Sequence, residues 1–476
     1  MRRTSPSLLF LMFAWACDQN PAPPELAGPP TPVAITSVTA LSQMVLGARI
    51  THDQTEADLL RAAYRSVDGV DTGVTPWHAP SGSILVLGLL PGTEYEMWIE
   101  SRRGSENVVG SKFGYSTAPL PSGLAEVRLH FSGTPSSTYS IANIGAPDSH
   151  GYIVIFDSTG TLRWYRDFGM QPNFDAQQQA NGSYTVFVGP SSGFTPAVGS
   201  YVEVQPSGDS VRAISAVGSA YTDPHELVTS YDRKNRRIAD YLFGYDLATF
   251  AADDDGANSE QTFAVHQVLR ISSAGAVDTL INATDHWGPA DAIEPPAIPD
   301  LDHPNSIDFD LDGGVIVSYR SLSAVVKVNP ETHAIEWQLG GVKNQFTFVN
   351  DPLGGFDGQH SARILSNGHL LIFDNGWTHS PQMSRAVEYE LNTSAMTATM
   401  VWQYQASPSI FNDFTGSVQR LANGNTLVAF TRGGIVDEVR PDGTRLSRGV
   451  LQVAPNTNAT PYRVLRINNL YYYATP

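Results

Sequence analysis

The sequence predicts an all-β protein, a six-bladed β-propeller preceded by a small β-sandwich, and three observations carry that expectation. First, a unit recurs in which a polar opening leads to a tight glycine turn and then a run of β-formers. One copy runs from His303-Pro304-Asn305-Ser306-Ile307 through Asp312-Gly313 to Ser318-Tyr319-Arg320. Another runs from Gln359-His360-Ser361-Ala362-Arg363 through Asn367-Gly368 to Phe373-Asp374-Asn375-Gly376. A third runs from Gly416-Ser417-Val418-Gln419-Arg420 through Asn423-Gly424 to Phe430-Thr431-Arg432, and a weaker one opens at Phe174 and turns at Asn181-Gly182. Tight turns between β-forming runs mark hairpins, and hairpins repeated without helices mark a propeller. Second, an outer hairpin recurs whose last strand ends in tryptophan, at Trp164, Trp337 and Trp402. Third, 41 Gly, 32 Pro, 19 Tyr and 20 Phe stand beside only 16% charged residues, a composition that suits turn-rich sheet. The 476 residues are enough for two or three domains with sizeable cores.

The elements follow in order. Residues 1–17 carry Arg2-Arg3, the apolar run Leu8 to Ala16 and then Cys17, the chain's one cysteine. A basic start and a short apolar stretch predict an export signal rather than a permanent membrane span. Cys17 directly after Ala16 resembles the lipobox of bacterial lipoproteins, which implies lipidation at Cys17 and an exported, membrane-anchored protein; an ordinary signal peptide is the alternative. With Cys17 used in this way no disulfide can form. Residues 18–33 hold six prolines and predict an extended tether. Residues 34–118 form the predicted sandwich. Leu90-Pro91-Gly92-Thr93-Glu94-Tyr95 and the closing Tyr115-Ser116-Thr117-Ala118-Pro119 resemble the fibronectin type III module, which gives Tyr95 a structural corner role. Residues 119–147 are expected to be a connector and 148–476 the propeller. Opening strands are placed near 152, 174, 225, 303, 360 and 416, and the strand Arg463 to Tyr473 is expected to close the ring, removing exposed sheet edges. The acidic run Asp253-Asp254-Asp255 falls in the widest gap, and whether it holds calcium is left open.

A propeller gathers the same position of every blade around one axis, so residues distant in sequence are predicted to meet. His225, His303 and His360 each begin a blade's innermost strand, and Arg320 and Asn375 end theirs at equivalent depth. An arginine fork with imidazoles suits a tetrahedral oxyanion of sulfuryl or phosphoryl type, and a histidine nitrogen can act as a nucleophile in a two-step transfer. His360, His303, Arg320 and His225 are the candidate catalytic residues; Asn305, Asn375, Thr431 and Arg432 are the candidate substrate-binding ones. The remaining histidines, His266 among them, read as surface or structural. Three histidines could bind zinc, but no acidic residue recurs at these positions and Arg320 would oppose a cation, so no metal is expected. Asp308 to Gly313 looks like the front of a calcium loop but reads as a hairpin turn, and no phosphate-binding loop or cofactor motif is present. The net charge of −18 argues against nucleic acid or anionic lipid as partners, and means that local cations must draw in any anionic substrate.

These same segments, with Ile335-Glu336-Trp337-Gln338-Leu339-Gly340-Gly341 between them, resemble the bacterial arylsulfotransferases over about residues 148–476. The resemblance implies an exported six-bladed propeller that moves a sulfuryl group from an aryl sulfate to a phenol without a nucleotide donor or cofactor. It places the transiently sulfurylated histidine at His360, with His303, Arg320 and His225 assisting. Phe174-Asp175 departs from the family's usual His-Asp in an early blade, which bears on substrate range. Two other readings remain at this point: a non-catalytic lipoprotein whose propeller binds a ligand or partner, and a hydrolase or lyase using the same funnel. Physiological donor, acceptor, oligomeric state and the membrane that holds the anchor are not legible.

Overall fold

A run such as Glu94–Arg103, whose side chains alternate between core and solvent, can only be a half-buried strand. In the computed structural model, which describes residues 28–136, 138–190, 198–251, 260–293 and 300–471, this strand is the centre of the N-terminal unit. The expected export signal, Cys17, most of the tether and the acidic run Asp253-Asp254-Asp255 lie outside the described residues. Ile35–Ala40, Gly47–His52 and Ser83–Leu87 form one sheet of this unit. The other is built of Thr72–Val74, Leu59–Ser66, Glu94–Arg103 and Glu106–Val109, with Phe113–Ser116 also on Glu94–Arg103. Between the two sheets lie Ile50, Ile84, Val86, Tyr95, Met97 and Ile99. The Tyr95 hydroxyl accepts the Leu90 amide at 2.7 Å, five residues upstream, and donates to Asp71 at 2.6 Å.

Among the described residues six sheets of four or more strands follow, antiparallel except where Thr347–Val349 runs parallel to its neighbour in the fifth. Their first strands, taken in chain order, are Tyr139–Gly145, Asn173–Gln178, Tyr221–Tyr231, Pro304–Phe309, His360–Ile364 and Ser417–Arg420. Each first strand lies beside that of the next sheet, and Ser417–Arg420 lies beside Val464–Ile467, so the series returns on itself as a propeller-like ring. Val464–Ile467 pairs with Tyr139–Gly145, which closes the first sheet with the end of the chain. Asp310 to Gly314 is the hairpin turn expected of it, joining Pro304–Phe309 to Val315–Tyr319, and its aspartates bind Lys327.

The stretch 119–147 differs from expectation. It is not a bare connector: Tyr139–Gly145 opens the first sheet, ahead of the predicted start near 152, and Arg128–Ser132 adds an outer strand to the last sheet by pairing with Arg448 to Gln452. That pairing spans more than three hundred residues of chain, and so leaves no local hairpin signal. The two units share a core, in which Met44, Leu46 and Leu87 pack with Leu129, Ile153 and Leu470.

The first strands carry irregularities that matter for the site. His360 pairs with Phe373 but Arg363 with Leu371, one residue too many on the first strand. Phe174 to Gln177 and Pro304 to Ser306 each carry the same single extra residue, and Thr222 to Leu227 carries three. Such bulges re-aim side chains out of the strict alternation of a strand. Asp175, His303, Ser361 and Thr415 take positive φ at these openings.

Candidate active site

His360 begins its strand and is 2% exposed. Its Nδ1 lies 2.8 Å from Asn375 Oδ1. Asn375 spends its amide N–H groups on the carbonyls of Asn412, at 2.7 Å, and Thr415, at 3.0 Å, so its oxygen is the side left to accept. His360 therefore carries its proton on Nδ1 and its lone pair on Nε2. Nε2 accepts the Thr415 backbone N–H at 3.2 Å. Burial, and after it the positive charge of Arg320, holds the His360 imidazole well below its ordinary pKa. The ring is thus neutral at neutral pH.

His225 sits within the three-residue bulge, its Nδ1 2.8 Å from Asp223. His303, at φ 48°, has its Nδ1 2.8 Å from Asp300. The two rings lie 4.6 Å apart, centre to centre. Burial lowers the pKa of His303, with His225 and Arg320 adding to the effect and Asp300 opposing it. Burial alone would raise Asp223, but His225 and His266 hold its carboxyl well below the usual range. The Arg320 guanidinium is buried against the ring of Trp377, and its field reaches both His303 and His360. The four residues proposed as catalytic from sequence are therefore brought together.

The four expected substrate binders stand in different places. Asn305 donates to the Gln359 carbonyl at 2.7 Å, fixing the residue before His360, and its buried Oδ1 has no partner among the described residues. Asn375 orients His360. Thr431 shares a hydroxyl hydrogen bond of 2.6 Å with Thr415, behind the segment that meets Nε2. Arg432 points to the rim, 3.3 Å from Asp413, over the ring of Phe414, with its side chain about half exposed. Trp377, Phe411 and Phe414 lie around that rim, Trp377 edge-on to Phe411 and hydrogen-bonded to the Asp413 carbonyl.

Sequence reasoning missed three participants. Tyr462 stands 5.5 Å from the His225 ring and 6.4 Å from the His360 ring. Arg463 donates to the His225 carbonyl at 3.0 Å and to Glu226 at 2.8 Å, and lies 3.1 Å from Asp175, which follows Phe174, the residue that departs from the family pattern. His266, read as surface or structural, is 3% exposed and lies among Asp223, Asp300 and Asp302. The orienting aspartates did carry a local signal, Asp223-Pro224-His225 and Asp300-Leu301-Asp302-His303. His266 carried none, being a lone histidine in the strand Gln261–Ser272. With Asp300 and Asp302 it is the one cluster among the described residues whose ligand atoms, within 4.8 Å of one another, could hold a metal; its ring nitrogens are instead engaged by Asp302 at 2.9 Å and Asp223 at 3.3 Å.

The site is thus three imidazoles and the Arg320 guanidinium at the convergence of several sheets, the guanidinium suited to an oxyanion. The arylsulfotransferase family profile matches residues 134–460, well over half of the chain. The protein belongs to the arylsulfotransferase family, and at that level it is a sulfotransferase acting on aryl sulfates and phenols. No curated protein matches the chain significantly. Among solved structures, a protein of unknown function from Bacteroides caccae superposes with a TM-score of 0.41 at 12% identity, covering 70% of this chain and 100% of that one. The periplasmic gluconolactonase PpgL of Pseudomonas aeruginosa gives 0.38 at 13% identity, over 72% of this chain and 99% of that one. A catalytically inactive virginiamycin B lyase from Staphylococcus aureus gives 0.35 at 8% identity, over 67% and 87%. Likeness so distant does not bear on chemistry.

Proposed function

We propose that the six sheets are the blades of a propeller, behind a fibronectin III-like module, and that His360 is the nucleophile of a two-step sulfuryl transfer. The observation that carries this reading is the contact of His360 Nδ1 with the Asn375 oxygen, which accepts the Nδ1–H hydrogen bond and so leaves the lone pair on Nε2 for attack. In the first step Nε2 attacks the sulfur of an aryl sulfate, the S–N bond forms, and the S–O bond to the aryl group breaks with its electron pair leaving on oxygen. In the second, a phenol oxygen attacks the same sulfur and gives its proton to the Nε2 of His303 or His225. The S–N bond breaks and the electron pair returns to Nε2. The charge that spreads over the sulfuryl oxygens faces Arg320, while His303 and His225, each with Nδ1 on its aspartate, keep an Nε2 lone pair that can take up the acceptor's proton. The Thr415 N–H beside Nε2 meets a sulfuryl oxygen once the S–N bond has formed.

The test is release of 4-nitrophenol from 4-nitrophenyl sulfate, with and without added phenol, by the wild type and His360→Ala. Acceptor-dependent release lost in the variant, together with an acid-labile gain of one sulfuryl group on wild-type His360 by mass spectrometry, is the expected result. Release without acceptor would make the protein a sulfate-ester hydrolase. No release from a broad set of aryl sulfates would favour a ligand-binding propeller.

We further propose that residues 1–17 direct export and that Cys17 is lipidated, holding the enzyme on a membrane facing the periplasm or cell surface. The supporting feature is the basic, apolar and cysteine order of the sequence. Labelled fatty acid should enter the wild type and not Cys17→Ser; equal labelling of both would remove the anchor.

A further inference from the structure

Two of the three candidate imidazoles are held by carboxylates, and both carboxylates meet one buried histidine that the reaction as written does not use. His266 is drawn to the site because its strand touches the segment before His303: Ala264 bridges to Asp300, and the Leu301 amide donates to the Ala264 carbonyl at 3.0 Å. His266 Nδ1 is 2.9 Å from Asp302 Oδ1 and 3.7 Å from Asp300 Oδ1, and its Nε2 is 3.3 Å from Asp223 Oδ2. The second oxygen of Asp223 lies 2.8 Å from His225, and that of Asp300 lies 2.8 Å from His303. A continuous series results, His225 to Asp223 to His266 to Asp300 to His303. Asp223, Asp300 and Asp302 are three carboxylates in a buried site, and buried charge is tolerated only when paired and hydrogen-bonded. A neutral His266 has one N–H and could serve only one of the two carboxylates at its nitrogens, whereas an imidazolium serves both. Burial would discharge the His266 ring, but Asp302, Asp300 and Asp223 outweigh it and hold its pKa well above the ordinary value.

We propose that His266 is a positioning residue whose imidazolium ties Asp223 to the Asp300–Asp302 pair. It thereby sets His225 and His303 together, each donating Nδ1–H to its aspartate and turning its Nε2 lone pair into the site, where the acceptor's proton must go. The roles given to His225 and His303 rest on the sulfotransferase reading; the series of close polar contacts, in which His266 meets Asp300 as an ion pair at 3.7 Å, does not. His266→Gln removes the charge at similar size, and Asp302→Asn weakens the same series while keeping its shape should the first variant fail to fold. The experiment is nitrogen-15 NMR of histidine-labelled full-length protein, with kcat and KM for 4-nitrophenyl sulfate and phenol measured on the same samples.

The wild type should show one imidazolium with both N–H protons retained above neutral pH, and His225 and His303 as Nδ1–H tautomers. In the variants these two signals should move towards mixed tautomers. The kcat should fall on the order of 10–100-fold, as when an orienting partner of a functional imidazole is lost, while KM changes by far less. Unchanged tautomers with kcat within a few-fold of wild type would overturn the proposal. So would a stoichiometric metal ion in the purified wild type that is lost with His266→Gln, since a cation would then hold these carboxylates. An inactive wild type with the expected tautomer changes would overturn the sulfotransferase reading and leave the series standing.

Discussion

At the scale of single residues, the chemistry of the proposed nucleophile is decided by what surrounds it. His360 was legible in the sequence, with His303 and Arg320, because repeated units place equivalent positions on one axis. What could not be read was its protonation, because Asn375 and Arg320 act on it through space. The loss of a proton from His360 is favoured first by burial and then by the Arg320 guanidinium. Attack requires the Nε2 lone pair, so activity should persist as pH falls below the usual imidazole range and decline only when His360 finally charges. Arg320→Gln removes one of the two causes and a donor to the sulfuryl oxygens. It is expected to lower kcat on the order of 10²–10³-fold and to move the acidic limb of the kcat pH profile upward, towards the ordinary histidine value. Arg320→Lys keeps the charge and should move the limb less. A pH profile identical to wild type in Arg320→Gln would show that Arg320 does not set the state of His360. The same charged, buried His360 explains a stability cost in acid: its folded pKa lies below its unfolded one, so folding loses free energy from this group as pH drops through that interval.

At the scale of elements, the bulges and one loop bring side chains to the axis that a regular strand would leave on a sheet face. The turns at Gly313, Gly368 and Gly424, and the β-runs beyond them, were plain in the sequence because tight turns need positive φ and these glycines supply it. The bulges were not, since an extra residue in a strand has no composition of its own. Nor was the segment 411–415, which crosses the site from the end of the fifth sheet to the start of the sixth. Asn412 ties it down, donating to the carbonyls of Phe414 at 2.7 Å and Thr415 at 3.2 Å and accepting the Arg432 amide at 2.8 Å. Its own carbonyl accepts from Asn375 at 2.7 Å, which links the loop to the group orienting His360. Asn412→Ala removes the side-chain partner of the Phe414 carbonyl and the Arg432 amide, while the Thr415 carbonyl keeps Asn375, and should cost about 1–3 kcal/mol of stability, seen as a lower melting temperature. Transfer should slow as well, because the segment that carries the Thr415 N–H loses the side chain that ties it down. A variant that melts lower but turns over at the wild-type rate would make the loop a structural closure and nothing more.

At the scale of the whole molecule, ring closure and module docking were only half legible. The last strand was expected to close the ring because it follows the final repeat, and Val464–Ile467 does pair with the first sheet. Its neighbour Arg463 also reaches the His225 carbonyl, so the segment that closes the ring helps to build the site. The other closing strand, Arg128–Ser132, was hidden in a stretch without repeat character. Docking of the N-terminal unit on the ring adds a guanidinium to the shared core: Arg163 donates to Asp71 and to the Gly88 carbonyl, each at 2.9 Å, and to Asp157 at 2.6 Å. Asp71 is in turn the partner of Tyr95, so the corner of the sandwich and the ring are joined by a single series of bonds. Arg163→Met preserves the apolar stem but leaves Asp71 with only neutral partners, at an expected cost of about 2–3 kcal/mol. None of these groups touches the imidazoles. The variant should therefore expose the N-terminal unit to limited proteolysis at lower temperature than wild type, while kcat per folded molecule stays unchanged. A fall in kcat with proteolysis unaltered would mean that the sandwich reaches the chemistry, and that docking is part of catalysis rather than of assembly.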